Sequence, residues 1–394
     1  MTDDARAVTA VVLGGGLTGL AVLRELGRAG VPVLATADGD DLVTASRYLR
    51  PLPARVAAQD QDGIEASFRS LELERAVLFP CSDSWARAVS GFPSELQQRF
   101  PSVSAPAQLV EQFADKAAFL DLVQRSSVPH PRTVAVGDAQ DLETIADSEL
   151  AGYFLKPCDS QAFSARFGLK GFPIADRRHV NVSIERATRE GLSLLAQEMI
   201  PGPTTNHVFL DGYVARDGTF AALLARRRLR MFPLDFGNST MTLSIPLSEA
   251  EGAVDSLCSR STPELGGRSG SGPVAGSPCL AYRDALSEPV EPVTAYEVAR
   301  RWVHEFRDLR AWLGERGRGL NPLVSWRGCE YAIFSRDDRN AFRARGATRC
   351  ALLARPRELV LDPASGWLPG AKSGRPCASA RGASHQRSGG RARA

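Results

Sequence analysis

Only seven cysteines occur in the 394 residues, scattered from Cys81 to Cys377, and none stands in a C-x-x-C pair. A zinc cage or a disulfide framework is therefore not expected. Histidine is scarcer still. His130, His179, His207, His304 and His385 fall in no H-E-x-x-H or comparable ligand spacing. No Ser-His-Asp arrangement can be read from the chain. Long apolar runs are lacking too, since none approaches the roughly 18 residues of a membrane span. The start, Met1-Thr2-Asp3-Asp4, is acidic where a signal peptide would be basic and then apolar. The expectation is a soluble cytoplasmic protein. Charge of one sign is also missing, and a net +3 is too small to imply a nucleic-acid partner.

What is present is ordinary globular composition, with 43% hydrophobic and 24% charged residues. The length suits two to three domains. The first third alternates strands with helices. Val8 to Leu13 is a short β-branched apolar run, as a buried strand would be. Gly14-Gly15-Gly16 follows as a tight turn. Leu20, Leu23 and Leu26 then recur at helical spacing, with Arg24, Glu25 and Arg28 expected to face away and Gly30 at the helix end. Val31 to Ala35 and Ala76 to Phe79 read as further strands. Such alternation implies α/β architecture, with a Rossmann-like parallel sheet covered by helices.

The glycine turn supports one functional reading of its own. Gly14, Gly16 and Gly19 match G-x-G-x-x-G, and Asp38 lies just past the second strand. That is the pattern of a dinucleotide site, with the acid on a ribose hydroxyl. An NAD(P)-dependent oxidoreductase is therefore one alternative. The bland alternative is that the glycines only let a strand and a helix pack closely.

The middle of the chain carries a longer series. Asp115-Lys116 opens a helix with Ala117, Leu120 and Val123 on one face. Val128-Pro129-His130-Pro131-Arg132-Thr133 makes an extended connector. A helix with Leu142 and Ile145 precedes the strand Gly152 to Pro157, which ends in Lys156-Pro157. Cys158 to Gly171 reads as a small polar loop able to fold over phosphates. Leu192 to Ala196 is a strand running into Gln197-Glu198-Met199-Ile200-Pro201-Gly202, and Phe220 to Leu224 is another, leading to Arg226-Arg227-Arg228-Leu229-Arg230.

In this order and spacing the series resembles the ATP-grasp superfamily, of the carboxylate–amine ligase type. The resemblance spans roughly residues 8–257 and returns after Leu280. It implies a Rossmann-like domain over residues 1–114, followed by ATP-grasp α+β lobes over 115–257. It also implies ATP as cofactor, with magnesium, and small carboxylate and amine substrates. Lys116 and Lys156 would hold phosphates, Ser160 to Gly168 would close over them, Gln197, Glu198, Met199 and Ile200 would meet the adenine, and Arg228 and Arg230 would lie beside the reacting groups.

The resemblance breaks at residues 258–279, where Ser, Gly, Pro and Arg dominate in a linker-like stretch. The family's acid and its Glu-x-Asn, which hold magnesium, are not found there, so the metal ligands stay unidentified. A deletion, a local frame change or a non-catalytic member would each explain this, and a non-catalytic nucleotide-binding module is a further alternative. Glu330 and Asp337 are the acids left to consider. Residues 280–338 read as a helical region, with Val298, Trp302 and Phe306 on one helix. Residues 339–394 read as a disordered basic tail.

Overall fold

The protein is described from a computed structural model, which covers residues 7–37, 39, 41–52, 56, 60–233, 237–250, 277–293, 295–314 and 321–348. Asp38 and the stretch 258–276 lie outside the described residues.

The N-terminal alternation produces the expected parallel sheet. Its strands are β1 (Thr9–Leu13), β2 (Val33–Ala35), β3 (Leu49–Pro51) and β4 (Ala76–Pro80), in the order β3-β2-β1-β4, and every pairing is parallel. Between them run α1 (Gly16–Arg28) and α2 (Gln61–Ser70). Helices α3 (Asp83–Ser90), α4 (Ser94–Arg99) and α5 (Ala107–Ala114) follow β4. β1 is apolar after Thr9, and buried there, because helices cover both faces of the sheet. Gly14 sits just beyond β1 with φ +98°, a conformation that favours glycine.

Two antiparallel sheets come next. α6 (Lys116–Arg125) starts directly after α5, and Asp115 caps it by accepting from the backbone N–H of Ala117 and Ala118. The residue it buries is Leu122, on the side opposite the expected Ala117, Leu120 and Val123 face. The first antiparallel sheet has the order β5-β8-β6-β7, from β5 (Thr133–Val136), β6 (Tyr153–Pro157), β7 (Phe172–Pro173) and β8 (Leu194–Glu198). Helices α7 (Asp147–Leu150), α8 (Ser160–Phe167) and α9 (Arg177–Arg189) connect these strands. The second sheet has the order β13-β12-β11-β10-β9. It contains β9 (Val208–Val214), β10 (Phe220–Phe232), β11 (Asn238–Ile245), β12 (Arg301–Val303) and β13 (Glu330–Tyr331).

Several expectations need correction. The segment Cys158 to Gly171 is not an open loop, because Ser160–Phe167 is helical, held by Phe163 against Phe167 and Phe172. The arginines Arg226 to Arg230 do not follow a strand but lie inside the 13-residue β10. Region 280–338 is not purely helical: Trp302 belongs to β12, and the helix there begins at Glu305. Residues 340–348 form a helix rather than a tail, with Ala341 buried and Phe342 packed on Phe306 and Phe334. Residues 349–394 lie outside the described residues.

Arg28 is exposed, as its spacing predicts, but Arg24 is not: α1 turns it onto the C-terminal segment, which Arg28 also meets from the surface. Arg24 is 4% exposed. Its guanidinium donates to Asp338 Oδ2 at 2.8 Å and to the carbonyls of Ile333 and Asp338. Arg28 pairs with Asp337 at 2.7 Å. Ala281, Tyr282, Ala285, Ile333 and Ala341 join Leu20, Leu23 and Leu26 in one apolar core. The chain's C-terminal third thus closes on its first helix.

Asp338→Ala would leave Arg24 buried without its carboxylate. Breaking such a pair costs about 3–5 kcal/mol, so urea unfolding should show a lower midpoint at unchanged slope. The Arg28 guanidinium holds the Asp337 carboxyl well below the usual range, aided by Ser335 and Tyr48 against a smaller push from burial. Burial pushes the Asp338 carboxyl up, but donors from Ser46, Arg47 and Arg24 outweigh it. Depressed carboxyl values mean stability that is complete above about pH 4 and lost as the pH falls through the folded values. Asp337→Asn should flatten that acid loss in unfolding measured from pH ~5 down to ~2.

Candidate functional site

The sheet β5-β8-β6-β7 sorts its residues by face. Leu155 opposite Ala196 and Pro157 opposite Leu194 point into the core, as alternation demands. The other face therefore carries Phe154, Lys156, Leu195, Gln197 and Thr133. A polar row crosses it. Lys156 Nζ donates to Gln197 Oε1 at 3.2 Å, and Gln197 Nε2 donates to Thr133 Oγ1 at 3.1 Å. Burial pushes the Lys156 ammonium below its ordinary value. An amide is a weak partner for a half-buried cation, so an anion placed there would be stabilising.

Lys116 reaches the same end of β6. Its Nζ donates to the Cys158 carbonyl at 3.1 Å and to Ser160 Oγ at 2.5 Å. Two lysines 40 residues apart in sequence thus flank the short turn from β6 into α8. Gly168 closes α8 with φ +68° and its N–H on Ser164, a helix-terminating position. Beyond the row, Glu198 accepts from the Arg132 N–H at 3.2 Å and fixes the proline-rich connector against β8. Met199 and Ile200 follow, 42% and 64% exposed. Adjacent apolar side chains left in water at a strand end suit a flat aromatic ligand.

The arginines of β10 separate into two kinds. Arg226 pairs with Asp211 at 2.5 Å, and Arg227 with Glu249 at 2.9 Å. Arg230 is 4% exposed and pairs with Asp308 at 2.6 Å. Thr240 and Trp326 donate to the same carboxylate. Arg228 differs. It donates to Ser239 Oγ at 2.9 Å, contacts the Met231 sulfur and lies over the Phe209 ring. Burial pushes its guanidinium below the ordinary value. Arg228 thus meets only neutral groups among the described residues, while Arg230 is paired within the protein.

The glycine turn is occupied from within. Asp41 accepts the Gly16 N–H with both oxygens at 3.0 Å and also accepts from Val43. A Cβ on Gly15 would lie 2.1 Å from that carboxylate. The position at the α1 N-terminus where a pyrophosphate would bind therefore already holds a negative charge. Sequence reading missed Asp41, since no motif marks a capping acid so far along the chain. It also left Lys170, Asn238 and Asp308 out of the candidate site, because only the folded sheets bring them beside Arg228 and Arg230.

Magnesium finds no donor set among the described residues, which contain no group of three His, Cys, Asp or Glu able to hold a metal. Glu330 pairs with Arg300, and Asp337 with Arg28, so both acids are engaged elsewhere.

No family model matches the chain. A D-aspartate ligase of Enterococcus faecium (strain Aus0004) is 26% identical over 152 residues, spanning 36% of this chain and 36% of that relative. An ADP complex of N5-carboxyaminoimidazole ribonucleotide synthetase matches with a TM-score of 0.54 at 11% identity, over 87% of this chain and 97% of its own. The ATP complex of carboxyaminoimidazole ribonucleotide synthase from Aspergillus clavatus matches with a TM-score of 0.52 at 10% identity, over 76% and 82%. The chain has the ATP-grasp fold. The resemblance in the order of motifs is thus matched in three dimensions. Within that fold the polar row of Lys156 and the turn at Lys116 lie on one sheet, and Arg228 lies on the other.

The contrast between the two arginines is testable. Arg230→Ala strands the fully buried Asp308 and should cost about 3–5 kcal/mol in urea unfolding. Arg228→Ala leaves behind only a hydroxyl, a sulfur and a ring, and should cost clearly less.

Proposed function

We propose that the protein binds ATP and is built as an ATP-grasp carboxylate–amine ligase. The observation that carries this is the Lys156–Gln197–Thr133 row, with Lys116 at one end and exposed Met199 and Ile200 at the other. Two ammonium groups beside a flat apolar edge complement a polyphosphate joined to an aromatic base. On this reading Ser160 and the α8 turn lie at the Lys116 end of the row, and Glu198 follows Gln197 on β8, bonded to the Arg132 N–H. The substrates on this reading are a small carboxylate and an amine. The match to a D-aspartate ligase favours an amino acid as one of them. The described cysteines Cys81, Cys158, Cys279 and Cys329 are free, which suits a cytoplasmic location. No helix among the described residues is long and apolar enough to cross a membrane.

In such a ligase ATP phosphorylates the carboxylate, and the amine then displaces phosphate from the acyl-phosphate. Lys116 and Lys156 would neutralise phosphate charge, and Arg228 would face the oxyanion that forms. Phosphoryl transfer depends on positioning and charge neutralisation. The stretch 258–279 lacks the acid and Glu-x-Asn of the family, and the described carboxylates assemble no substitute. We therefore infer that binding and turnover separate in this chain.

The NAD(P) alternative places its ligand where Asp41 already sits. Melting curves should show protection by ATP and none by NADH or NADPH. In calorimetry, Lys156→Ala should weaken ATP by about 1.5–3 kcal/mol, the scale of one charge-assisted hydrogen bond. Unchanged ATP affinity would remove Lys156 from the site.

Turnover gives a separate measurement. With ATP, magnesium and a panel of amino acids and carboxylic acids, ADP release should be at most about a thousandth of a competent ligase's, as a loss of ~4 kcal/mol implies. Brisk release abolished by Lys156→Ala would overturn the inferred impairment.

A further inference from the structure

Gln197 stands at the centre of the sheet face that carries Lys156. It lies directly opposite Thr133 on β5 and directly opposite Phe154 on β6, so Lys156 is its diagonal neighbour on the same face. Long side chains reach that far. The direction of each hydrogen bond along this row is fixed. The Thr133 hydroxyl donates its one proton to the Pro131 carbonyl at 2.8 Å, which leaves only lone pairs for Gln197. Gln197 therefore turns its NH2 toward Thr133, at 3.1 Å, and its Oε1 toward Lys156, at 3.2 Å. A flipped amide would set its NH2 against the ammonium and its oxygen against the threonine lone pairs, and both bonds would be lost.

The far end of the row is anchored. Pro131 and Arg132 belong to the proline-rich connector that enters β5. The Arg132 carbonyl accepts from the Glu198 N–H at 2.9 Å, and the Arg132 N–H donates to the Glu198 carboxylate at 3.2 Å. The residue after Gln197 thus holds the connector, and the connector, through Thr133, holds the amide of Gln197.

The type of side chain matters as much as its direction. A carboxylate at position 197 would pair with Lys156, as Asp338 does with Arg24 and Asp308 with Arg230. An apolar side chain would leave the ammonium without this acceptor. The amide locates the ammonium and leaves its charge to be offset by something else. Burial already disfavours that charge, so an arriving anion gains from it.

We propose that Gln197 is a positioning residue, whose amide, set by Thr133 and the Pro131 carbonyl, holds the Lys156 ammonium in place for a phosphate group without neutralising it. The assignment rests on the nucleotide reading above. It gives the Gln197 side chain to the lysine instead of to the adenine, and it makes Thr133 and the connector part of the site.

ATP binding is measured by calorimetry on the native protein, Gln197→Met, Lys156→Ala and the double variant, with melting in the absence of ligand to check that each folds. Gln197→Met keeps the length of the side chain and removes the amide. It should weaken ATP by about tenfold, less than loss of the lysine itself. In the Lys156→Ala background the same change should have no effect, because a residue that acts through the lysine has nothing left to hold. Thr133→Val should also weaken ATP, and Thr133→Ser, which keeps the hydroxyl, should not. An effect of Gln197→Met that persists without Lys156 would show direct contact with the nucleotide and overturn the proposal, as would an ATP affinity unchanged in Gln197→Met. A second measurement needs no nucleotide. Trace labelling of Lys156 with acetic anhydride is followed against pH by mass spectrometry. In Gln197→Glu the labelling midpoint should move to higher pH, because a carboxylate favours the ammonium. In Gln197→Met it should move to lower pH, because the ammonium loses its acceptor. If the native protein binds no ATP, the nucleotide reading fails and the labelling decides: opposite shifts uphold the positioning of Lys156 by Gln197, and an unchanged midpoint in either variant overturns it.

Discussion

An arginine cannot shed its proton, so a fold that buries one must supply an acceptor. This constraint organises the molecule at two places. Arg24 is buried and meets Asp338, which joins the first helix to the last described segment. Arg230 is buried and meets Asp308, which joins β10 to the helix Glu305–Gly314. Both acids are nearly solvent-free, Asp308 at 0% and Asp338 at 1%. Each pair ties together chain segments far apart in sequence, and each leaves no room for a misplaced partner. Buried pairs of this kind are weak evidence for net stability. What they do here is join the first helix and β10 to the chain's C-terminal third.

Against that background Arg228 gains its meaning. It is as buried as Arg226, yet it meets only neutral groups. Lys156, half-buried, likewise meets a neutral partner in Gln197. Cations whose charge is disfavoured by their surroundings, and whose partners are amides and hydroxyls, are sites prepared for an anion that arrives from outside. The molecule thus gives carboxylates to Arg24 and Arg230, whose charges hold the fold, and only neutral acceptors to Arg228 and Lys156.

The glycine turn shows the opposite economy. Its spacing is that of a dinucleotide site, and its strand–turn–helix context is correct. The difference lies in Asp41, which turns the helix N-terminus inward and satisfies it with the protein's own carboxylate. Spacing of glycines reports that the backbone comes close to something, and the identity of that something is set by residues elsewhere.

Much of the frame was legible in order along the chain. The β-branched runs, the glycine turn and the leucine spacing of α1 determined the parallel sheet, since these are local patterns with a single structural answer. Asp115-Lys116 and Leu155-Lys156-Pro157 likewise marked the lysines, because a helix start and a strand end are local events. Local pattern could not show that Ser160–Phe167 coils into a helix, for its stabilising contacts are with Phe172 on a separate strand. Nor could it show that Arg24 is buried, that Asp41 fills the glycine turn, or that Arg230 is spent on Asp308 while Arg228 is not. By itself the sequence determined which segments are strands and helices and where its chemistry-bearing lysines stand. Which charges meet a carboxylate and which meet only neutral groups was decided by the tertiary structure alone, because a charge's partner is set by distance in space and not along the chain.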